Sequence, residues 1–419
     1  MDVTWRGTRM WRRAGTICLA AVVGAVLAGC GSGAGGTGSS GGSGAPTGSE
    51  IVVGYIGSVS GPSASSLSGG TKVVEAWAKA VNDAGGIAGH KVRLVTKDDG
   101  ANPTKSLQSA KELVEQEKVV AIVGENSVVD ASWAKYVEAA GVPVVGGFPG
   151  SVSMYTNAGF FPVGTSSAAL QYGALTQAKK LGNKGSFLYC AESPICAETV
   201  ASVQSLAQVV AMELPVVAKV SGSAPDYTAT CQSLKAEGVQ SYNIGAAAAT
   251  TLRIVANCNS QGVTAKFVVG GSNFAPNWLN GAGLDGAVQV SHVGPFFDTS
   301  TPGGKAYREF LTKYVPDLGD QDSGITYSSY LGGKLFERAV EMGPKNGEVT
   351  AASIKQGLYA LEGETLQGST APLTYTQGKP TANICYFVMS IQGGKFTTPE
   401  GAQPQCAPES VNQFLPKPA

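Results

Sequence analysis

Past residue 50 the chain alternates short apolar runs with longer stretches in which apolar positions recur every three or four residues. The first run is Ile51-Val52-Val53-Gly54-Tyr55-Ile56-Gly57; Val73, Val74, Trp77 and Val81 follow at helical spacing. This βαβ rhythm predicts a parallel sheet flanked by helices. Further strands are expected at 92–96, 119–123 and 141–145, with a helix over 103–117 that carries Pro103 in its first turn. A second set begins after residue 165. Helices at 168–181, 197–212, 227–237 and 250–261 alternate with strands at 186–189, 216–220, 241–244 and 267–269. Helices at 304–314, 325–341 and 351–361 then precede 373–375 and a strand at 384–391. The fold class expected is α/β, with two similar halves built on parallel sheets.

The first 49 residues lack this rhythm. Arg6, Arg9, Arg12 and Arg13 precede an apolar run from 14 to 27, short of the roughly 20 residues a spanning helix needs. Cationic start, apolar middle and small residues before a cut are the parts of a secretory signal over 1–29. The ending Leu27-Ala28-Gly29-Cys30 resembles the lipobox of bacterial lipoproteins, which implies that Cys30 is lipidated and becomes the mature N-terminus. An ordinary cleaved signal with a coincidental cysteine is the alternative. Residues 30–49 are almost all Gly, Ser, Ala and Thr, bury no apolar area, and are expected to act as a flexible tether.

The remaining body of about 370 residues suits two domains of roughly 100 to 200 residues each, and hence a cleft between them. Loss of residues 1–29 removes four arginines and Asp2 from 30 basic and 30 acidic side chains, leaving a net charge of −3. That balance excludes a polybasic surface for nucleic acid or membrane. No later apolar run reaches spanning length, so the lipid is the expected anchor on the extracytoplasmic face of the bacterial cell membrane.

Six cysteines remain once Cys18 and Cys30 are set aside, an even number in an oxidising compartment. Six allow 15 pairings, and the short separations favour Cys190–Cys196, Cys231–Cys258 and Cys385–Cys406. A thiolate metal site would want CxxC spacing and nearby histidines. The chain has only His90 and His292, both far from every cysteine in sequence, so neither metal nor cofactor is expected.

In open parallel sheets ligands bind beyond the carboxyl ends of the strands. In the first half that rule selects the loops 58–66, 98–102, 125–130 and 146–151. In the second it selects 191–196, 245–250 and 271–274.

Five stretches carry a family resemblance. Gly57-Ser58-Val59-Ser60-Gly61-Pro62, Asn82-Asp83-Ala84-Gly85-Gly86-Ile87-Ala88-Gly89, Asp98-Asp99, Lys118-Val119-Val120-Ala121-Ile122-Val123-Gly124 and Ala140-Gly141-Val142-Pro143-Val144-Val145 fall in order. This part of the chain resembles the type I periplasmic binding proteins, and within them the leucine/isoleucine/valine-binding branch of ABC-transporter substrate-binding proteins. From 51 to 145 the resemblance is specific; over the rest it is one of element order. It implies two Rossmann-like lobes joined by a multi-strand hinge, closing on a small ligand and delivering it to a membrane permease. Lobe 1 is expected over 50–164 with 295–343, and lobe 2 over 165–294 with 344–419, with crossings near Thr165, Pro295 and 341–343.

The resemblance also implies where the ligand sits. Ser/Thr hydroxyls and backbone amides after the third and fourth strands hold the carboxylate in amino-acid-binding members, which points to Asn126, Ser127, Phe148, Gly150 and Ser151. For Ser127 the alternative is capping of the helix that follows. The first loop contributes Ser60 and Ser66, where the family usually has an aromatic; Ala247 falls where a tyrosine is usual, and Ser272, beside Asn273 and Phe274, where a carboxylate usually meets the ligand ammonium. Without that carboxylate, either Glu192, Asp99 or Glu125 substitutes from another loop or the ligand is not a zwitterionic amino acid. Phe148, Phe274, Phe296, Tyr327 and Trp278 are candidate cleft walls. Asp98 and Asp99 suggest a carboxylate pair, but adjacent strand residues point apart, and structural capping is expected.

The function expected is a lipid-anchored solute-binding component of an ABC importer, taking an amino acid or related small polar solute, with the permease as partner and without chemistry. A cell-surface sensor using the same closure is the alternative. A secreted enzyme is disfavoured: the folded part has two histidines, no Gly-x-Ser-x-Gly elbow and no Gly-Lys-Ser/Thr phosphate loop.

Overall fold

The structure is a computed structural model, described for residues 48–415 apart from Asn346. The expected signal, Cys30 and nearly all of the tether lie outside the described residues. Among the described residues no helix is long and apolar enough to cross a membrane.

The first sheet has five parallel strands: β1 Ile51–Gly57, β2 Val92–Asp98, β3 Ala121–Glu125, β4 Val144–Gly147 and β5 Phe160–Phe161, in the order β2-β1-β3-β4-β5. Strand order reverses between β1 and β3, which opens a crevice beyond their carboxyl ends. Helix α1 (Ala64–Leu67) and α2 (Gly69–Asp83) follow β1. The turn after α2 is held by Asn82, whose amide exchanges two 2.8 Å hydrogen bonds with the backbone of Val92. That bond pair sets where β2 begins.

Helix α3 (Pro103–Lys111) starts as its sequence suggests: Asn102 accepts from Lys105 N–H at 3.0 Å and Pro103 occupies the first turn. A π-helical turn, Glu112–Gln116, carries the chain to the expected end near 117. Short helices α4 (Ala134–Ala139) and α5 (Ser153–Thr156) complete the first crossing set.

The second lobe repeats the plan. It contains α6 Ser167–Lys179, β6 Lys184–Cys190, α7 Pro194–Val209, β7 Glu213–Val220, α8 Thr228–Ala236, β8 Ser241–Gly245, α9 Ala248–Ser260, β9 Lys266–Gly270 and β10 Val288–Ser291. Strands β7-β6-β8-β9-β10 are parallel, with the same order reversal, here between β6 and β8. The antiparallel β11 (Cys385–Gln392) extends the sheet beside β10, with β12 (Lys395–Thr397) at its edge and β13 (Gln405–Cys406) pairing its first residues. All three expected disulfides are present: Cys190–Cys196, Cys231–Cys258 and Cys385–Cys406.

Between β10 and β11 the chain returns to the first lobe with α10 (Pro302–Tyr314), α11 (Gly324–Met342) and α12 (Ala351–Tyr359). Helix α11 lies across β3 and β4, close enough that a Cβ at Gly332 would come 2.8 Å from the Cα of Gly124. Ile354 and Leu358 of α12 share a core with Val53, Trp77 and Phe336. The third crossing therefore falls after Tyr375, whose hydroxyl donates to Pro162 O at 2.7 Å, and not at 341–343. Residues 341–343 end a helix whose apolar face α12 still has to cover.

Three segments cross between the lobes, and Thr165 ties them. Its backbone bridges Asn383, and its hydroxyl reaches both His292 O and Cys385 O.

Candidate functional site

The reversal crevices of the two sheets face each other, and a cavity of about 190 Å³ lies between them. Lobe 1 supplies Ser63, Ser66 and Leu67 from beyond β1, Val128 from beyond β3, Phe148, Pro149 and Gly150 from beyond β4, and Ile325 from the first turn of α11. Lobe 2 supplies Cys190, Ser193 and Cys196 from beyond β6, Gly245 to Ala247 from beyond β8 and Gly271 to Asn273 from beyond β9. Helix α6 begins at the first crossing, capped by Ser166, which accepts from Ala169 N–H at 3.3 Å. Ser167, Leu170 and Gln171 thus meet the cavity at helical spacing. Gln171 is held in place by Asn243, whose amide donates to its carbonyl at 2.9 Å.

Six of the twelve expected ligand-binding residues border this cavity: Ser66, Phe148, Gly150, Ala247, Ser272 and Asn273. The other six are placed elsewhere. Ser60 donates to Asp98 at 2.6 Å at the surface. Asn126 donates to Ser329 Oγ at 2.7 Å. Ser127 donates to Asp99 at 2.5 Å and accepts from Val129 N–H at 3.2 Å, a bond within the turn before the short helix Asp130–Ser132 and not the helix cap that was its alternative. Ser151 donates to Asp130. Glu192 accepts from Gly222 N–H at 2.7 Å and Ser221 Oγ at 2.8 Å, facing a groove that adjoins the cavity and shares Ser63, Cys190, Ser193 and Ala247 with it. Phe274 is fully buried against Trp278 and Phe396 in the core of lobe 2. Phe296 and Tyr327 are likewise core residues of lobe 1. The expectation that Asn126, Ser127 and Ser151 face a ligand is thereby corrected: buried side chains take the amide nitrogen of Asn126 and the two serine hydroxyls, while Asn126 Oδ1 is left buried without a partner.

Asp98 and Asp99 cap structure, as expected. Asp98 gathers the N–H groups of Val59, Ser60 and Gly100; although partial burial raises it, these bonds and the Ser60 hydroxyl hold its carboxyl below the usual range. Asp99 accepts from Ser58, Ser106 and Ser127. Glu125 and Asp130 sit beneath the floor of the site. Burial, and the charge of Asp130, push Glu125 well up; burial pushes Asp130 up to about 7.

Residues that the sequence did not single out include Ser167, Leu170, Gln171, Phe187, Ile244 and Ile325, together with the Cys190–Cys196 disulfide as part of the wall. Their signal was weak because strand interiors and helix starts read as core. Among the described residues, none that lines the cavity is Asp, Glu, Lys, Arg or His.

One pair has a catalytic look. Ser272 Oγ lies 2.5 Å from His292 Nδ1. Burial drives His292 down to about 3, and its Nε2 has no hydrogen-bond partner. An imidazole so weakly basic and with no carboxylate behind it is a poor general base. What the pair does is connect a cavity loop to a crossing segment.

A family model described as a periplasmic binding protein matches residues 50–395. An amino acid binding protein of Pseudomonas aeruginosa is 35% identical over 86 residues, which are 20% of this chain and 23% of that protein, so the match spans about a quarter of the relative's length. A branched chain amino acid ABC transporter structure from Thermus thermophilus with bound valine superposes with a TM-score of 0.75 at 16% identity, covering 87% of this chain and 98% of that one. A fatty acid ABC transporter substrate-binding protein from Thermomonospora curvata gives 0.73 at 16% identity, over 88% and 95%. At these identities the likeness is one of fold.

Proposed function

The chain belongs to the periplasmic binding protein family, and on that premise we propose that it is the solute-binding component of an ABC importer, held by lipid on Cys30 at the extracytoplasmic face of the membrane. One observation carries the reading: two strand-order reversals face each other across a three-segment hinge and enclose a cavity of about 190 Å³. Ser65 and Ser66 of lobe 1 meet the start of α9 in lobe 2, which is the contact a hinge motion makes and breaks. Closure requires only that a solute bind the closed form better than the open one. No bond is made or broken in such a cycle. The solute is small, and a permease is the partner that reads the closed form.

The test joins three measurements. Cys30→Ala is expected to move the protein from the membrane fraction to the soluble one. Small-angle scattering is expected to register compaction on solute addition. A permease is expected to co-purify with the protein in its solute-bound form. Compaction without any permease, but with capture of a signalling receptor, transfers the protein to the sensor class.

A further inference from the structure

The chemistry of the cavity wall narrows the solute, on the reading that this protein is a solute-binding component. Among the described residues no ionisable side chain lines the cavity. The buried carboxylates nearest the crevice are already engaged: Glu125 accepts from the N–H groups of Ser127 and Phe148, and Asp130 from Ser151. Several backbone donors beside the cleft are taken as well. Ala248 N–H donates to Ser66 Oγ, Ser151 N–H to Phe148 O, Gly271 N–H to Val290 O and Phe274 N–H to Gln289 Oε1. Helices α6 and α9 of lobe 2 both begin at the cavity, and the dipole of α9 meets lobe 1 serines and not an anion. An ammonium or carboxylate brought into this wall gains no counter-charge, and burying a charge without one is costly.

The wall is nevertheless not inert. Ser167 Oγ, Ser193 Oγ and Asn273 Oδ1, all on cavity-lining residues, are buried without a hydrogen-bond partner. Buried polar atoms are ordinarily satisfied, and an amide carbonyl accepts only from a donor. Between them the wall is Phe148, Phe187, Leu170, Ile244 and Ile325. An apolar cavity of about 150 Å³ holds benzene, so the 190 Å³ here suits roughly eight non-hydrogen atoms.

We infer that the cleft takes a small uncharged molecule with an apolar body of about one ring and a hydroxyl or amide donor directed at Asn273. Ionised groups on the ligand are what the wall rejects, and a zwitterionic amino acid is therefore not its solute.

The decisive experiment holds shape constant and varies charge. Benzyl alcohol, benzamide, benzoate and benzylammonium are titrated into the purified full chain at pH 7 by calorimetry, with valine alongside and scattering on the same samples. The two neutral rings are expected to bind at least about 30-fold more tightly than the two charged ones, because the charged pair must be desolvated without a partner. Asn273→Ala is expected to weaken the neutral rings about tenfold. Asn273→Asp, which keeps the size of the side chain, is expected to reverse the preference between benzyl alcohol and benzylammonium, a gain that misfolding cannot produce. Tighter binding of valine or benzoate than of either neutral ring overturns the inference, and compaction with that charged solute leaves the solute-binding reading standing. Binding of none of the rings overturns the inference too, and absence of compaction with every solute tested overturns the solute-binding reading itself.

Discussion

The hydroxyl of Ser66 accepts a hydrogen bond from the backbone N–H of Ala248 at 2.9 Å, so a side chain of the first lobe caps a helix of the second. Helix α9 has no cap of its own, since Ala247 stands at its N-cap position. Ser65 extends the contact with a 3.4 Å bond from Ala249 N–H. Closing the lobes therefore satisfies helix donors that opening returns to water.

Ser66→Ala removes that acceptor. A lost serine cap costs about 1 kcal/mol, and here the cost falls on the closed form alone. Solute affinity is expected to drop about fivefold, with the unfolding midpoint of the solute-free protein unchanged; Ser66→Thr is expected to retain affinity. Equal binding by Ser66→Ala and the parent would rule out the latch.

The three disulfides are expected to separate stability from binding. Cys231–Cys258 joins α8 to α9 across 27 residues inside the core of lobe 2, and replacing both by serine is expected to cost about 3 kcal/mol. Cys190–Cys196 closes only six residues but borders the cavity. Its removal is expected to cost less stability, about 2 kcal/mol, and to weaken solute binding more. Denaturant titration and calorimetry on both double variants read the two effects, and the same rank order in both would refute the division.

Two buried groups make stability depend on pH in opposite senses. Asp130, 3% exposed, is raised by burial to about 7. An acid raised above its unfolded value of about 4 contributes stability that is full below that value and is lost as pH rises through 7. His292, 1% exposed, is lowered by burial to about 3. Its contribution is full above its unfolded value of about 6.5 and is lost as pH falls through 3. Each slope approaches about 1.4 kcal/mol per pH unit in the shared window between about pH 4 and 6.5, where they oppose. Relative to the parent, Asp130→Asn is expected to lose stability on acidification across this window and His292→Gln to gain it. Urea midpoints at pH 4.5, 5.5 and 6.5 check this, and curves parallel to the parent's in both variants would contradict it.

Helix α11 reaches β3 and β4 only because glycine meets glycine. A Cβ at Gly332 would lie 2.8 Å from Gly124 Cα and 3.1 Å from Val145 O, both backbone atoms that cannot turn aside. Gly332→Ala is expected to cost about 1–3 kcal/mol, read as a lower urea midpoint. An unchanged midpoint would mean that α11 shifts freely over the sheet.

Much of this molecule was legible in one dimension. The period of apolar residues marked the strands of both lobes, because burial of a strand or helix face is a local pattern repeated along the chain. Short separations also named the disulfides Cys190–Cys196, Cys231–Cys258 and Cys385–Cys406. The loops at the cleft followed from strand direction alone, and half of the expected site residues lie on the cavity. The rest depended on partners far away in sequence. Ser127 turns to Asp99, 28 residues back, and Asn126 to Ser329, 203 residues on. Which way a loop side chain points is decided by whichever buried partner satisfies it, and no local pattern encodes that partner. The third crossing obeyed the same rule: α12 stays with lobe 1 because α11 offers it an apolar face, a fact of packing. Sequence alone determined the two α/β halves and the places where their loops meet. Tertiary structure decided that the chamber between them is uncharged, because every carboxylate near it had found a hydrogen-bond donor elsewhere.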